Sequence, residues 1–193
     1  MHKLVTTFGL ILLFFSCKSV DSTSEFNNEK ETVAVFPVTE FLQGQLKEIE
    51  KSPITALKET IVNDKIDSLW ISRDSIRIIA APFLTPLIDS ASLSPYFDGD
   101  SFMDQTINFL TLTYNANERV PENFHLRRID IYIQPESNIV SSIYLLKENS
   151  NEKENTKVQL TWKANESFSI RTITQMEGME PIIKLEKVTW DFK

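Results

Sequence analysis

The sequence predicts an α+β fold in which two N-terminal amphipathic helices pack on one face of a curved antiparallel β-meander of about five to seven strands. Three observations predict it. Apolar residues recur at helical spacing twice before residue 90, at Phe41, Leu42, Leu46 and Ile49 and again at Ile76, Ile79, Ala80, Phe83 and Leu87. After Asp98-Gly99-Asp100 the period changes to two and stays there. The period-two segments are joined by short polar loops, which favours antiparallel pairing of strands that follow one another in sequence.

Taken in order, folded structure is expected to begin near Val33. Pro37, Thr39 and Glu40 mark a helix start, with Thr39 as N-cap and Glu40 favourable to the helix dipole, and Ser52-Pro53 ends the helix. From Ile54 to Ile71, β-branched runs flank Asn63-Asp64, which suggests a hairpin, with a helix continued through Thr60 as the competitor. Ser72 is a good N-cap for a second helix from Arg73 to about Leu84, and Pro82 inside it should kink or stop it. A short helical turn is expected between Ser90 and Tyr96, then a connection through Asp98-Gly99-Asp100.

Strands are expected over Thr106 to Tyr114, Leu126 to Gln134, Ile139 to Lys147, Val158 to Lys163, Phe168 to Met176 and Ile182 to Phe192. Ile129, Ile131 and Ile133 alternate with Asp130 and Tyr132, so one face of that strand is apolar and the other polar. In the last strand Ile183 and Leu185 have odd phase, whereas Val188, Trp190 and Phe192 have even phase, and a β-bulge near Glu186-Lys187 would reconcile them. A closed, lipocalin-like barrel is the alternative, which the early helices disfavour. In outline the arrangement is similar to periplasmic lipoprotein-carrier folds and to small cone-shaped α+β folds.

The first seventeen residues carry a different signal. His2 and Lys3 lead into an apolar run from Leu4 to Phe15, followed by Ser16 and Cys17, the one cysteine of the chain. The run is about twelve residues, whereas a bilayer span needs roughly twenty. Phe14-Phe15-Ser16-Cys17 resembles the lipobox of bacterial lipoproteins, in the looser form found in Bacteroidota, where an aromatic residue is tolerated three positions before the cysteine. The resemblance implies cleavage before Cys17, acylation of that cysteine with chains such as palmitate, and membrane attachment through the lipid. A single thiol cannot form an internal disulfide, and lipidation gives it a role. No aspartate directly follows Cys17, the position at which it retains lipoproteins in the inner membrane of enteric bacteria, so the resemblance favours the outer membrane.

The expected organisation is therefore a signal peptide over 1–16, a lipidated cysteine and polar tether over 17–32, and one globular domain over 33–193. Removing sixteen of 193 residues takes Lys3 away, so the mature charge is 19 − 27 = −8. Such an acidic chain is unsuited to nucleic acid, and the acyl chains rather than charge must hold it at a membrane. With 4 glycines, phosphate-cradling loops are disfavoured, and no cofactor is implied.

Candidate chemistry is sparse. His125, beside Arg127 and Arg128, has no identifiable nucleophile partner and suits the rim of a sheet. Asp98, Asp100 and Asp104 place three carboxylates at short spacing, the kind of oxygen cluster a hard cation takes, although turn geometry accounts for them too. Tyr132 and Tyr144 alternate out of phase with the isoleucines of their own strands and are the best candidates for a ligand or partner surface. The Bacteroidota resemblance further implies O-glycosylation at Asp-Ser/Thr motifs, of which Ser22 in the tether is the accessible one. The expected function is a membrane-anchored, non-catalytic binding or structural role in the cell envelope, towards a protein partner or an apolar ligand. The alternative is an envelope hydrolase using acidic residues around Asp98–Asp104.

Overall fold

Alternation of apolar and polar residues gives the central strands one face to bury, and among the described residues nine strands combine into one antiparallel sheet. The computed structural model describes residues 34–191. In chain order these residues form helix α1 (Val38–Lys51), strands β1 (Thr55–Val62) and β2 (Lys65–Ser72), helix α2 (Arg73–Ala80) and a single 3₁₀ turn (Ala81–Phe83). A four-residue helix α3 (Ser90–Leu93) follows, then strands β3 (Phe97–Asp104), β4 (Phe109–Ala116), β5 (Leu126–Gln134), β6 (Ile139–Ser150), β7 (Glu154–Lys163), β8 (Ser167–Met176) and β9 (Ile182–Thr189). The sheet runs in the order β2-β1-β9-β8-β7-β6-β5-β4-β3, so seven consecutive strands form a meander and the first hairpin adds to its C-terminal end. The sheet is open, with β2 and β3 at its edges, and the architecture is mostly β.

The core lies against one face of this sheet. Ile129, Ile131, Ile143, Leu145, Leu160, Trp162, Phe168, Ile170 and Val188 are buried there together with Val38, Leu42, Leu46, Ile76 and Phe83 from the helical segments. Phe83 meets Trp162 and Phe168 edge-on, each at 5.4 Å between ring centroids, and Trp162 stacks on Phe168 at 5.2 Å. Such aromatic pairs add about 0.5–1.5 kcal/mol each beyond the area they bury. Lys147 also points to this inner face, where its ammonium donates to the carbonyls of Pro82 and Thr85 and so ties the 3₁₀ turn and the loop after it to the sheet.

Several expectations hold. Asn63 and Asp64 have φ of 46° and 66°, the paired left-handed geometry of a two-residue type I′ hairpin, so the β1–β2 hairpin wins over a continued helix. α2 starts after Ser72 and stops before Pro82.

Others are corrected. The meander has seven strands, within the expected range, but the first hairpin joins the same sheet and brings it to nine strands among the described residues. Phe97–Asp104, read as a connection because of its Asp-Gly-Asp composition, is edge strand β3, where carboxylates stay solvated on an unpaired flank. Thr39 does not cap α1. The N-cap is Pro37, and the Thr39 hydroxyl accepts a hydrogen bond from the Ile88 amide at 2.8 Å inside the core. Leu87 is exposed and Ile88 takes the buried place. No bulge occurs in β9, whose pairing with β1 and β8 runs without a shift. The apparent phase change has another cause: the inner face of β9 is polar at Lys184 and Glu186 and apolar at Val188. Glu186 bonds Lys184 and Lys58, each at 2.9 Å. Burial pushes its carboxyl up, but the bonds from both lysines outweigh this and hold it below the usual range. The register shifts that do occur lie between β5 and β6, near Leu126–Arg128 and Tyr132–Ile133.

Candidate functional site

The outer face of the sheet, opposite the core, carries cross-strand rows set by the register. One row runs Asp100, Thr113, Asp130, Tyr144, Thr161, Ser169 from β3 to β8, and the next runs Phe102, Thr111, Tyr132, Ser142, Lys163, Ser167. Both tyrosines singled out from the sequence therefore stand on one surface, with Asp130 directly opposite Tyr144 and two residues before Tyr132 on the same strand.

Asp130 is the centre of this patch. It is only 3% exposed although it faces away from the core. Its carboxylate accepts a hydrogen bond from the Thr113 hydroxyl at 2.7 Å, and both its oxygens accept from Arg128 Nε, at 3.0 and 2.8 Å. A buried carboxylate costs several kcal/mol unless paired in this way. The bond to Asp130 in turn raises the Arg128 pKa, against the opposing effect of its own burial. Burial pushes the Tyr132 phenol above its ordinary value, and the negative charge of Asp130 adds to this while Arg128 opposes it. Tyr132 thus stays a neutral phenol, able to donate and accept a hydrogen bond. Thr111, opposite Tyr132, is buried, and its hydroxyl has no partner among the described residues.

Asp98, Asp100 and Asp104 also fall on this outer face, at alternate or more distant positions of β3. Asp100 accepts from the Ser101 amide at 2.8 Å, and Asp104 accepts from Thr106 and Ile107 amides at 2.9 and 3.4 Å, closing the turn into β4. Asp98 lies 3.5 Å from Asn117 Nδ2. Residues two apart in a strand are separated by about 6.8 Å, so the three carboxylates are strung along an edge and do not converge. Among the described residues, no group of three or more His, Cys, Asp or Glu side chains is placed to hold a metal ion.

His125 lies exposed just before β5, at a shallow polar depression of about 280 Å³ that Glu122, Arg127, Ser150 and the Glu148–Lys157 ion pair (2.8 Å) also line. Its imidazole makes no hydrogen bond with Ser150 or Glu122, and no charge-relay geometry is present there. Cys17 and Ser22 lie outside the described residues.

What the sequence reading missed is the Thr113–Asp130–Arg128 network between the tyrosines. The signal was available in part: an aspartate and an arginine two apart on a strand share a face, so Arg128 and Asp130 were readable as a pair. Thr113 was not, because only the register of β4 against β5 places it there. No known family model, no curated protein and no solved structure matches this chain. The site defines a fixed polar and aromatic surface on an open antiparallel sheet, suited to contact and hydrogen bonding.

Proposed function

We propose that this chain is a lipoprotein of the bacterial outer membrane, anchored through lipid on Cys17, and that it serves a non-catalytic binding or structural role in the cell envelope. The occupant of its outer sheet face is a protein partner or an apolar ligand, met by Tyr132 and Tyr144. We read the fold class as α+β, with the helical segments roofing the inner face and leaving the outer face for that contact. The observation that carries the binding reading is the buried Asp130, held by Arg128 and Thr113 between two half-buried tyrosines on an otherwise solvent-facing surface. A carboxylate fixed in this way sets the orientation of its neighbours, and tyrosine gives large contact area with little loss of conformational entropy. The other reading, an envelope hydrolase working through Asp98–Asp104, requires carboxylates that meet at one point, and those of β3 are spread along an edge.

Two arms of one experiment in the native host test this. Cys17→Ala should move the protein from the membrane to the soluble fraction, and unchanged membrane association overturns the anchor. A photo-cross-linking residue at position 144 of the anchored protein should trap a discrete adduct that Tyr132→Ala diminishes. Adducts no different from those formed at exposed Asn155 overturn the outer-face contact.

A further inference from the structure

The outer face of the sheet carries a charge unlike that of the chain. In a chain of net charge −7, its positions on β5 to β9 hold five basic side chains, Arg128, Lys157, Lys163, Arg171 and Lys187, against two acidic ones, Asp130 and Glu148. Carboxylates of edge strand β3 and Glu59 of β1 flank this stretch on either side. Lys157 and Lys163 are engaged by Glu148 and Glu166, whereas Arg171 and Lys187 are exposed.

Around Arg128 the acceptors are withdrawn and the donors are left outward. Asp130 is buried, and its two oxygens are taken by the Thr113 hydroxyl and by Nε of Arg128. Arg128 spends only that edge of its guanidinium. Among the described residues its two terminal nitrogens make no hydrogen bond, and the side chain stays about half in water. The hydroxyls of Tyr132 and Tyr144 likewise bond to no described residue. The register gathers these groups. Arg128, Asp130 and Tyr132 are alternate residues of β5, and Tyr144 faces Asp130 from β6, diagonal to both Arg128 and Tyr132. The Arg128 pKa, raised mainly by the bond to Asp130, also feels both phenols through space, which sets the three heads in one patch. A ligand that meets this patch finds N–H and O–H donors, so it must bring the acceptor.

We propose that Arg128, Tyr132 and Tyr144 together bind a carboxylate, supplied by an aspartate or glutamate side chain of a protein partner. The inference rests on the outer-face contact proposed above and names the chemistry that makes it. A planar carboxylate matches the end-on fork of a guanidinium through two parallel hydrogen bonds. Asp130 pins that fork from beneath, so little side-chain freedom is lost on binding. Asp130 also selects among anions. Its charge already offsets that of Arg128, and it repels a phosphate dianion more strongly than a carboxylate. An anionic membrane surface is repelled by the acidic chain as a whole, whereas one acidic side chain set in a protein surface needs only this local stretch, and the flanking tyrosines add contact area to it. Arg171 and Lys187 extend the same sign across the face and steer an acidic partner to it, an attraction that salt screens.

Fluorescence anisotropy of a labelled, capped oligo-glutamate peptide against the full chain in non-ionic detergent tests this, with a capped oligo-glutamine peptide beside it. The glutamate peptide should bind saturably and more weakly as salt is added, and the glutamine peptide should not bind. Arg128→Lys keeps a cation for Asp130 but loses the planar fork. With the fold confirmed by circular dichroism, it should weaken binding about tenfold. Tyr144→Phe deletes a hydroxyl that bonds no described residue, so the melting temperature should hold while affinity falls about threefold. Lys47→Gln on α1, away from this face, should leave binding unchanged. Absence of saturable glutamate binding, equal binding of the glutamine peptide, or an affinity untouched by Arg128→Lys and Tyr144→Phe overturns the proposal. So does displacement by glycerol phosphate at concentrations where acetate has no effect, which would assign the fork to a phosphate or a lipid headgroup. In the host, the adduct trapped at position 144 should fall in the Arg128→Lys variant. An adduct present in wild type and undiminished in that variant overturns the carboxylate recognition alone, while no adduct in wild type overturns the outer-face contact beneath it.

Discussion

Replacing Arg128 with Met leaves the Asp130 carboxylate buried with one remaining partner, the Thr113 hydroxyl. The Asp130 side chain is 4% exposed and that of Arg128 is 45% exposed. Removing one member of a fully buried pair costs about 3–5 kcal/mol, but with the guanidinium half in water the screened value falls to about 2–3 kcal/mol. For a domain of this size each kcal/mol lowers the melting temperature by about 2–4 °C, so a loss of roughly 5–10 °C is expected. Urea unfolding at neutral pH, followed by the fluorescence of buried Trp162, measures the difference directly. The double variant Arg128→Met/Asp130→Val removes the charge along with its partner and should recover much of the lost stability, because an apolar pair of similar volume needs no compensation. The reasoning is refuted if Arg128→Met costs less than about 0.5 kcal/mol, or if the double variant is less stable than the single one. Either result would mean that Asp130 is solvated in place and does not depend on Arg128.

Two further outcomes follow from the core side of the sheet. Burial pushes the Lys147 ammonium down from 10.5 to about 8, while its bonds to two carbonyls favour the charged form. Between pH 8 and 10.5 the unfolded chain then holds more protons than the folded one, so unfolding free energy should rise with pH across that window, by about 1–2 kcal/mol after allowance for partial solvation. Urea titrations of wild type against Lys147→Met isolate this contribution, and a flat or falling difference would contradict it. Thr39→Val removes the acceptor of the buried Ile88 amide with little change of shape, and should cost about 1–3 kcal/mol and speed exchange of that amide. Thr39→Ser should retain most of the stability, and a Val variant as stable as wild type would show that the bond contributes nothing.

The parts of the fold legible in the sequence are those where one local rule acts alone. Ser72 and Pro82 bracket α2 because a helix start and a missing amide need no tertiary context. β5 was placed residue for residue because three isoleucines alternate with polar neighbours. Where two rules compete, tertiary structure decides. Thr39 had the right chemistry for a cap, yet its hydroxyl bonds an amide 49 residues away. Asp98-Gly99-Asp100 had turn composition, yet an edge strand tolerates it because one flank stays in water. The apolar residues of β9 change phase without any shift in register, because what changes along the strand is the polarity of its inner face. The candidate site follows the same division. Tyr132 and Tyr144 are legible from alternation within their own strands, while the Thr113–Asp130 bond beside them depends on the pairing of β4 with β5, which no local pattern encodes.

The position of the first hairpin has a consequence for the order of assembly. β1 pairs with β9, its neighbour in the sheet and nearly its opposite in the chain, with Leu57 facing Thr189. The seven-strand meander can zip up progressively through short loops as each strand becomes available, but β1 has no place to dock until the last strand exists. The first-made hairpin must therefore wait for the end of the chain, which makes its docking the slowest contact by loop-closure entropy and leaves its apolar residues uncovered longest. Deletion of β9 should accordingly release β1 and β2 as well, turning a loss at the C-terminus into a sheet three strands narrower.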